Sequence, residues 1–383
     1  MRSSASTNKN LAVAERASVV RTPACGFDGL IAFSPEVRDM ARENLRATIL
    51  GFLGAFAVFA LLFYFAGVDK LVDTLQMADY SIVALVVVAT LAWLVAWSFA
   101  LRTVLGVLGV ELSLAKSFFV FSGAMFSNNI TPFGQAGGEP VTAYLISRSA
   151  DAEYETSLAA IASVDTLNFV PSITIALVGA AYYASEITLG TNRDLLLALV
   201  VVVVLAVTVP AAAYLAWQRR YRLESRAVSA FTPAVRTVAK YVPRVPVPTE
   251  EGIERRVNGF FRAIERIATN PRGLALALGA STFGWFCQMV GLWLAFRAIG
   301  VPIPLSVAML VVPIGAIAGV TPLPGGAGGI ETVLVALLLA APLPAVTKSI
   351  AAAAVVVFRG AVYWVPTLLG GGVMGWISLR SSS

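Results

Sequence analysis

The chain has no histidine, and among its 383 residues only two cysteines, Cys25 and Cys287. The lack of histidine removes the commonest general base, the Ser-His nucleophile pair and the usual zinc ligand. No catalytic residue, metal or cofactor is therefore expected. Two cysteines, one in a polar tail and one in an apolar run, do not make a disulfide framework. Charge is scarce too: 13% of residues are charged and 58% are hydrophobic, with a net charge of +6. That small excess sits in loops, where it bears on membrane orientation, and a nucleic-acid partner is not expected.

What the chain does have is apolar sequence of spanning length. Mean hydropathy is +0.80, and hydrophobic runs fall near 47–68, 81–101, 156–183, 195–217, 273–298 and 350–377. These runs are continuous rather than alternating, as membrane helices are and barrel strands are not. The expected fold is all-α: a polytopic helical membrane protein. Residues 1–46 hold no run of signal-peptide type, so the first span is expected to stay as an anchor behind Arg38, Arg42 and Arg46.

Two further apolar stretches are interrupted by a glycine-rich motif. The first reads Thr131-Pro132-Phe133-Gly134-Gln135-Ala136-Gly137-Gly138-Glu139. The second reads Thr321-Pro322-Leu323-Pro324-Gly325-Gly326-Ala327-Gly328-Gly329-Ile330-Glu331. The flanking apolar pieces, near 118–126 and 140–146 and near 305–320 and 332–341, are short for a crossing. They fit re-entrant or broken-helix hairpins. About six spans follow, or about eight to ten if the arms cross.

The loop 218–272 carries twelve Lys and Arg against five Glu. By the positive-inside rule it is cytoplasmic, as are both termini, and the chain is expected to be a multi-pass protein of the cell membrane. Each half then crosses the membrane an odd number of times, so the second inserts upside down, giving two inverted repeats. The division expected is a cytoplasmic segment at 1–46, membrane sequence at 47–217 with the repeat junction near 185–194, the basic loop at 218–272, and the rest of the second repeat at 273–383. Within the loop, 249–268 places Ile253, Val257, Phe260, Phe261, Ile264 and Ile267 on one face, a helix expected to lie on the inner leaflet. A smaller interfacial helix is expected near 69–79.

Paired interruptions in corresponding places point to a transporter's binding site. A helix that starts inside the membrane presents unpaired N–H groups and a partial positive charge, and glycines admit a phosphate or carboxylate close to them. Gly137, Gly138, Gly328 and Gly329 are candidates for that role, with Asn128, Asn129, Thr131 and Thr321 approaching the two tips. Glu139 and Glu331 either cap their own half-helices or carry a proton or cation. Arg359 lies about ten residues into the last span, ~15 Å deep, where it needs a partner or a polar cavity. Arg359 is 28 residues past Glu331, while Asp165 and Asn168 are 26 and 29 past Glu139. This matching depth suggests an Asp165–Arg359 pair.

Asn128-Asn129-Ile130-Thr131-Pro132 through Gly137-Gly138-Glu139-Pro140-Val141, with the second motif, resembles the membrane region of lysylphosphatidylglycerol synthase/flippase proteins. Phe358-Arg359, followed by Tyr363-Trp364 and Pro366, is similar to that family's late arginine-bearing span. The resemblance covers roughly residues 45–380. It implies lipid handling: relatives flip aminoacylated phosphatidylglycerol, and a similar domain is fused to some archaeal dolichyl-phosphate glycosyltransferases. The family often has an arginine and an acid in the third span, where this chain has Asp165 and Asn168 alone. The expected function is binding or translocation of an anionic lipid, a phospholipid or a polyprenyl-phosphate sugar, within the bilayer. Two alternatives stand beside it: a membrane glycosyl or acyl transferase using Glu139 or Glu331 as base, and a non-transporting scaffold for a lipid-modifying enzyme.

Overall fold

A computed structural model describes residues 67–131, 135–186, 250–321, 323–341 and 343–381, with isolated positions between 200 and 219. All lie in one compact unit, Thr48–Ser383. The spans expected near 47–68 and 195–217, the segment 1–46, the junction near 185–194 and most of the basic loop's first thirty residues fall outside the described residues.

Every regular element among the described residues is helical. In chain order they are α1 (Val68–Gln76), α2 (Tyr80–Val107), α3 (Leu114–Ile130), α4 (Gln135–Ala150), α5 (Tyr154–Glu186), α6 (Glu250–Ala268), α7 (Pro271–Ala298), α8 (Leu305–Ile317), α9 (Gly329–Ala340) and α10 (Lys348–Ser381). Short 3₁₀ turns at Ala318–Val320 and Pro324–Gly326 join α8 to α9. Among the described residues, four helices are long and apolar enough to cross a membrane: α2, α5 over Tyr154–Tyr182, α7, and α10 over Lys348–Gly375. The protein is an all-α polytopic membrane protein.

Helix starts are fixed by local chemistry. The Asp79 carboxylate accepts from Ser81 N (2.8 Å), Ser113 Oγ from Lys116 N (3.3 Å) and Asn270 Oδ1 from Gly273 N (2.8 Å), each meeting an N–H that the helix itself leaves unpaired. Pro271 takes the first helical position of α7, where it has no N–H to lose.

The long helices α2 and α7 lie antiparallel at the centre. Asp79 N donates to Ala298 O (2.8 Å) at one end; at the other, Gly273 touches Val107, whose Cγ2 would stand 2.4 Å from an added Cβ. Between them Trp97 stacks edge-on with Trp93 (5.4 Å) and Trp285 (5.8 Å), an arrangement that suits the ring quadrupoles. Only a glycine at 284 admits it, since a Cβ there would be 2.2 Å from Trp97 Nε1.

Around this pair, α3 packs on α10 and α8 packs on α5, while α4 returns along α3 and α5, and α9 along α8 and α10. The core runs through all of them: Leu101, Phe121, Leu292, Leu334 and Leu338 are buried within one apolar cluster. Ala351 to Ala354, a whole turn of α10, is fully buried, as befits a turn apolar all round and surrounded by protein.

The hairpin arms are longer in the first half than the apolar runs suggest. Helix α3 extends the run 118–126 to 17 residues and α4 extends 140–146 to 16, whereas α8 and α9 have 13 and 12. The latter pair falls well short of the ~20 residues a crossing needs. Helix α6 also departs from expectation. Its Ala263 and Ile267 are buried and Phe260 and Ile264 pack against the same core, so the apolar stripe is covered by the protein's own helices, chiefly α5, rather than turned wholly to lipid. Ala263 lets the backbones approach, and the arginines at 262 and 266 stay exposed.

Candidate functional site

The second motif builds the site's backbone. After α8, Gly325, Gly326 and Gly328 all take positive φ (58°, 66° and 86°), a conformation that side-chain-bearing residues rarely adopt. The chain thereby reverses within a few residues and α9 begins inside the helical bundle. Gly328 is the residue before α9, and its N–H donates to Glu331 Oε2 (2.6 Å). Glu331 thus caps its own half-helix, where the dipole favours a carboxylate.

The other carboxylate oxygen of Glu331 receives Arg359 Nε at 2.7 Å. The pair is enclosed: the side chains are 2% and 11% exposed. Arg359 Nη2 also reaches the Gly325 carbonyl (3.3 Å), and the guanidinium sits 5.9 Å from the Tyr363 ring centre. These described bonds use two of the five guanidinium donors. The arginine is therefore largely enclosed, paired and tied to the motif's turn.

The end of α3 meets the same place. Asn129, at the end of α3, donates from Nδ2 to Tyr363 O (3.2 Å) and Thr367 Oγ1 (2.8 Å), while Tyr363 Oη donates to Asn129 O (3.0 Å). A Cβ on Gly325 would stand 2.8 Å from Asn129 Oδ1 and 2.7 Å from Tyr363. The ends of α3 and of the second motif thus touch across α10. Replacing Tyr363 by Phe removes one of these links, and a loss of about 1 kcal/mol in unfolding free energy is expected from thermal or denaturant melts of purified protein.

Sequence spacing did not reveal Tyr363 and Thr367 as site residues. The signal was present: Arg359, Tyr363 and Thr367 recur every fourth residue along one face of an otherwise apolar helix. The remaining candidates divide as follows. Thr131 Oγ1 donates back to Ser127 O (2.7 Å), satisfying its own helix end. Thr321 Oγ1 is buried without a partner and lies against Gly329. Gly137 and Gly138 fall inside the first turn of α4, which starts at Gln135 and not near Pro140. Asn128 is buried, its Oδ1 without a donor and pressed against Gly138.

Arg359 does not meet Asp165. The structure pairs Arg359 with Glu331, whereas Asp165 lies in the neighbourhood of Glu139. Arg359 thus joins the glutamate of the hairpin that precedes its own helix. Asn168 takes a different part again. Its Oδ1 accepts from Ser281 Oγ (2.6 Å) and its carbonyl from Trp285 Nε1 (2.9 Å), so it fastens α5 to α7. Buried bonds between helices of this kind are the usual use of such residues in membranes.

With this geometry in hand, comparison with known proteins is direct. Residues 49–370 match the family described as the lysylphosphatidylglycerol synthase TM region. The chain belongs to that family. It is also similar to a UPF0104 membrane protein of Methanothermobacter thermautotrophicus, 28% identical over 342 residues, which takes in 87% of this chain and 94% of the relative. A second relative, the UPF0104 membrane protein PH1989 of Pyrococcus horikoshii, is 25% identical over 322 residues, 81% of this chain and 91% of its own length. Both the broken-helix motifs and Arg359 lie within the matched region.

Proposed function

We propose that this protein carries an anionic lipid across the cell membrane, seating its phosphate at the junction of the two hairpins beside Arg359. One observation carries the reading: a largely enclosed arginine, with donors to spare, stands where the end of α3 and the second motif converge. Buried intramembrane charge is costly and tends to mark a substrate pathway. The start of α9 adds a partial positive charge of the kind that receives phosphate.

An inverted-repeat arrangement supports alternating access as the mechanism. Helices α2 and α7 are each 28 residues long and antiparallel. The packing partners exchange between halves, α3 on α10 answering α8 on α5. Asp165 lies eleven residues after Tyr154, the first of α5, and Arg359 eleven after Lys348, the first of α10. Rocking of one half against the other would expose the junction to each leaflet in turn, with both termini cytoplasmic.

The test is headgroup accessibility in proteoliposomes holding purified protein and a fluorescent phosphatidylglycerol or short polyprenyl-phosphate sugar. Movement of one of these lipids between leaflets, dependent on the protein and lost in Arg359→Gln, is the expected result. Equal movement in wild type and variant would remove Arg359 from lipid recognition. Absence of movement for both lipids would sink the transport reading for these two substrate classes.

A further inference from the structure

A cavity of about 600 Å³ opens where α2 turns into α3, and the described residues that line it share none with the Arg359 junction. Its size is that of a site for a small molecule or a headgroup. Its walls are fixed by the turn itself. Gly109, at φ 85°, donates to Gly106 O (3.1 Å), and Val110 N donates to Leu105 O (2.9 Å), the paired bonds that close a helix C-terminus firmly. Leu112 is buried in the core and Ser113 caps α3. Arg102 Nε donates to Leu112 O (2.9 Å), which holds the guanidinium against the turn before any ligand arrives.

The lining carries charge of both signs. Arg102 and Glu111 both border the cavity and both are exposed. Gly106 leaves the space between open, since a Cβ there would meet nothing within 4 Å. A ligand of one sign would be drawn to one of these side chains and repelled by the other. The guanidinium fork suits a phosphate, and a carboxylate suits an ammonium that can donate to it. A second observation says what else the ligand must have. On α2 the apolar side chains of Val88, Leu91 and Val95 are 57%, 37% and 43% exposed. Their spacing of three and four residues makes one stripe, which continues through Phe99 and Arg102 into the cavity. From Val88 to Phe99 the stripe runs ~16 Å, about the depth of one leaflet of a ~30 Å hydrocarbon core. An apolar track one leaflet long thus ends at a pocket with a cation and an anion.

We propose that this cavity binds one amino-bearing zwitterionic glycerophospholipid of the phosphatidylethanolamine type. Its phosphate meets Arg102, its ammonium meets Glu111, and an acyl chain lies along Val88, Leu91 and Val95. The bound lipid belongs to the scaffold and is separate from any lipid carried at Arg359. The site is therefore tested by binding, and the result does not depend on whether the protein moves lipid.

Melting of detergent-purified protein is followed with added phosphatidylethanolamine, phosphatidylglycerol or water-soluble phosphoethanolamine at equal concentration. Phosphatidylethanolamine is expected to raise Tm by a few degrees more than phosphatidylglycerol does, because a ligand that binds only the folded state stabilises it. Arg102→Gln and Glu111→Gln are each expected to bring that response down to the phosphatidylglycerol level. Lys70→Gln, which removes an exposed charge on α1, leaves it unchanged. Equal responses to the two lipids in wild type overturn the proposal, as does a preference that survives both substitutions. A full response to phosphoethanolamine assigns the cavity to a soluble ligand and overturns the lipid. A disulfide between copies carrying Val95→Cys, in a chain lacking Cys25 and Cys287, would give the stripe to a second copy and overturn it likewise. Should either amide variant fail to fold, a phosphatidylethanolamine with a photoactivatable acyl chain decides on wild type. It is expected to label α2 between residues 88 and 99, with unlabelled phosphatidylethanolamine competing better than phosphatidylglycerol; equal competition overturns the proposal.

Discussion

Replacing Arg359 with Gln is expected to lower unfolding stability by about 3–5 kcal/mol, the usual result of removing one member of a buried ion pair. The cause is the residue left behind. Glu331 is 2% exposed, and without the guanidinium the Gly328 N–H at 2.6 Å is, among the described residues, the one donor left to answer its charge. One backbone donor and a half-helix dipole offset a small part of a buried carboxylate's desolvation. The double variant Glu331→Gln/Arg359→Gln removes both charges together and is expected to recover most of the loss, since neutral replacement of a buried pair is often tolerated. A thermodynamic cycle over wild type, the two single variants and the double variant measures the coupling. Lipid movement behaves differently in the transport reading. It stays lost in the stable double variant, because the group that meets the phosphate is gone. A double variant that both folds and moves lipid would assign the ion pair to the scaffold alone.

Much of this architecture was legible in the chain. Long apolar runs gave the four described spans, and the glycine clusters marked where α8 stops and α9 starts, because consecutive positive-φ glycines cannot continue a helix. The first motif read less faithfully. Its Gly137-Gly138 looked like the end of a break, but α4 already begins at Gln135. Inside a bilayer an unpaired peptide group is so costly that backbone hydrogen bonding overrides the weak helix propensity of glycine. Partner choice was the harder matter. Depth along a span placed Asp165 and Arg359 at one level, yet depth says nothing of azimuth, and Arg359 turns to the hairpin before it. The Asn129 contacts with Tyr363 and Thr367 join residues 234 and 238 positions apart, a separation over which a single sequence carries no signal. The face of α6 was visible as amphipathic, but periodicity cannot distinguish a lipid surface from a neighbouring helix as its cover.

The contact between α3 and α10 yields the second large effect. At Gly370 the two backbones nearly touch: an added Cβ would stand 2.1 Å from the Ser122 carbonyl oxygen and 2.7 Å from Phe126 Cβ. Close approach through small residues is how membrane helices gain packing energy without a hydrophobic drive between them. Gly370→Ala cannot be absorbed by a rotamer change, since its nearest neighbour is main chain. The helices must separate, and a loss of at least 1–3 kcal/mol is expected, the ordinary range for overpacking. Gly372, two residues on, meets nothing within 4 Å; alanine there is expected to be neutral or to stabilise by up to ~1 kcal/mol through helix propensity. Comparing the two melts therefore isolates packing from propensity on one helix. The consequence reaches the site as well. Moving along α3 from Ser122 to Asn129 moves along α10 from Gly370 back to Tyr363, so a wedge at Gly370 bears on the bonds that hold Asn129 to Tyr363 and Thr367. The end of α3 should loosen from Gly325, and labelling of a cysteine placed at Asn129, in a chain lacking Cys25 and Cys287, should quicken in Gly370→Ala and stay unchanged in Gly372→Ala. Equal stability and equal labelling in both would mean that α3 and α10 are not held together at this point.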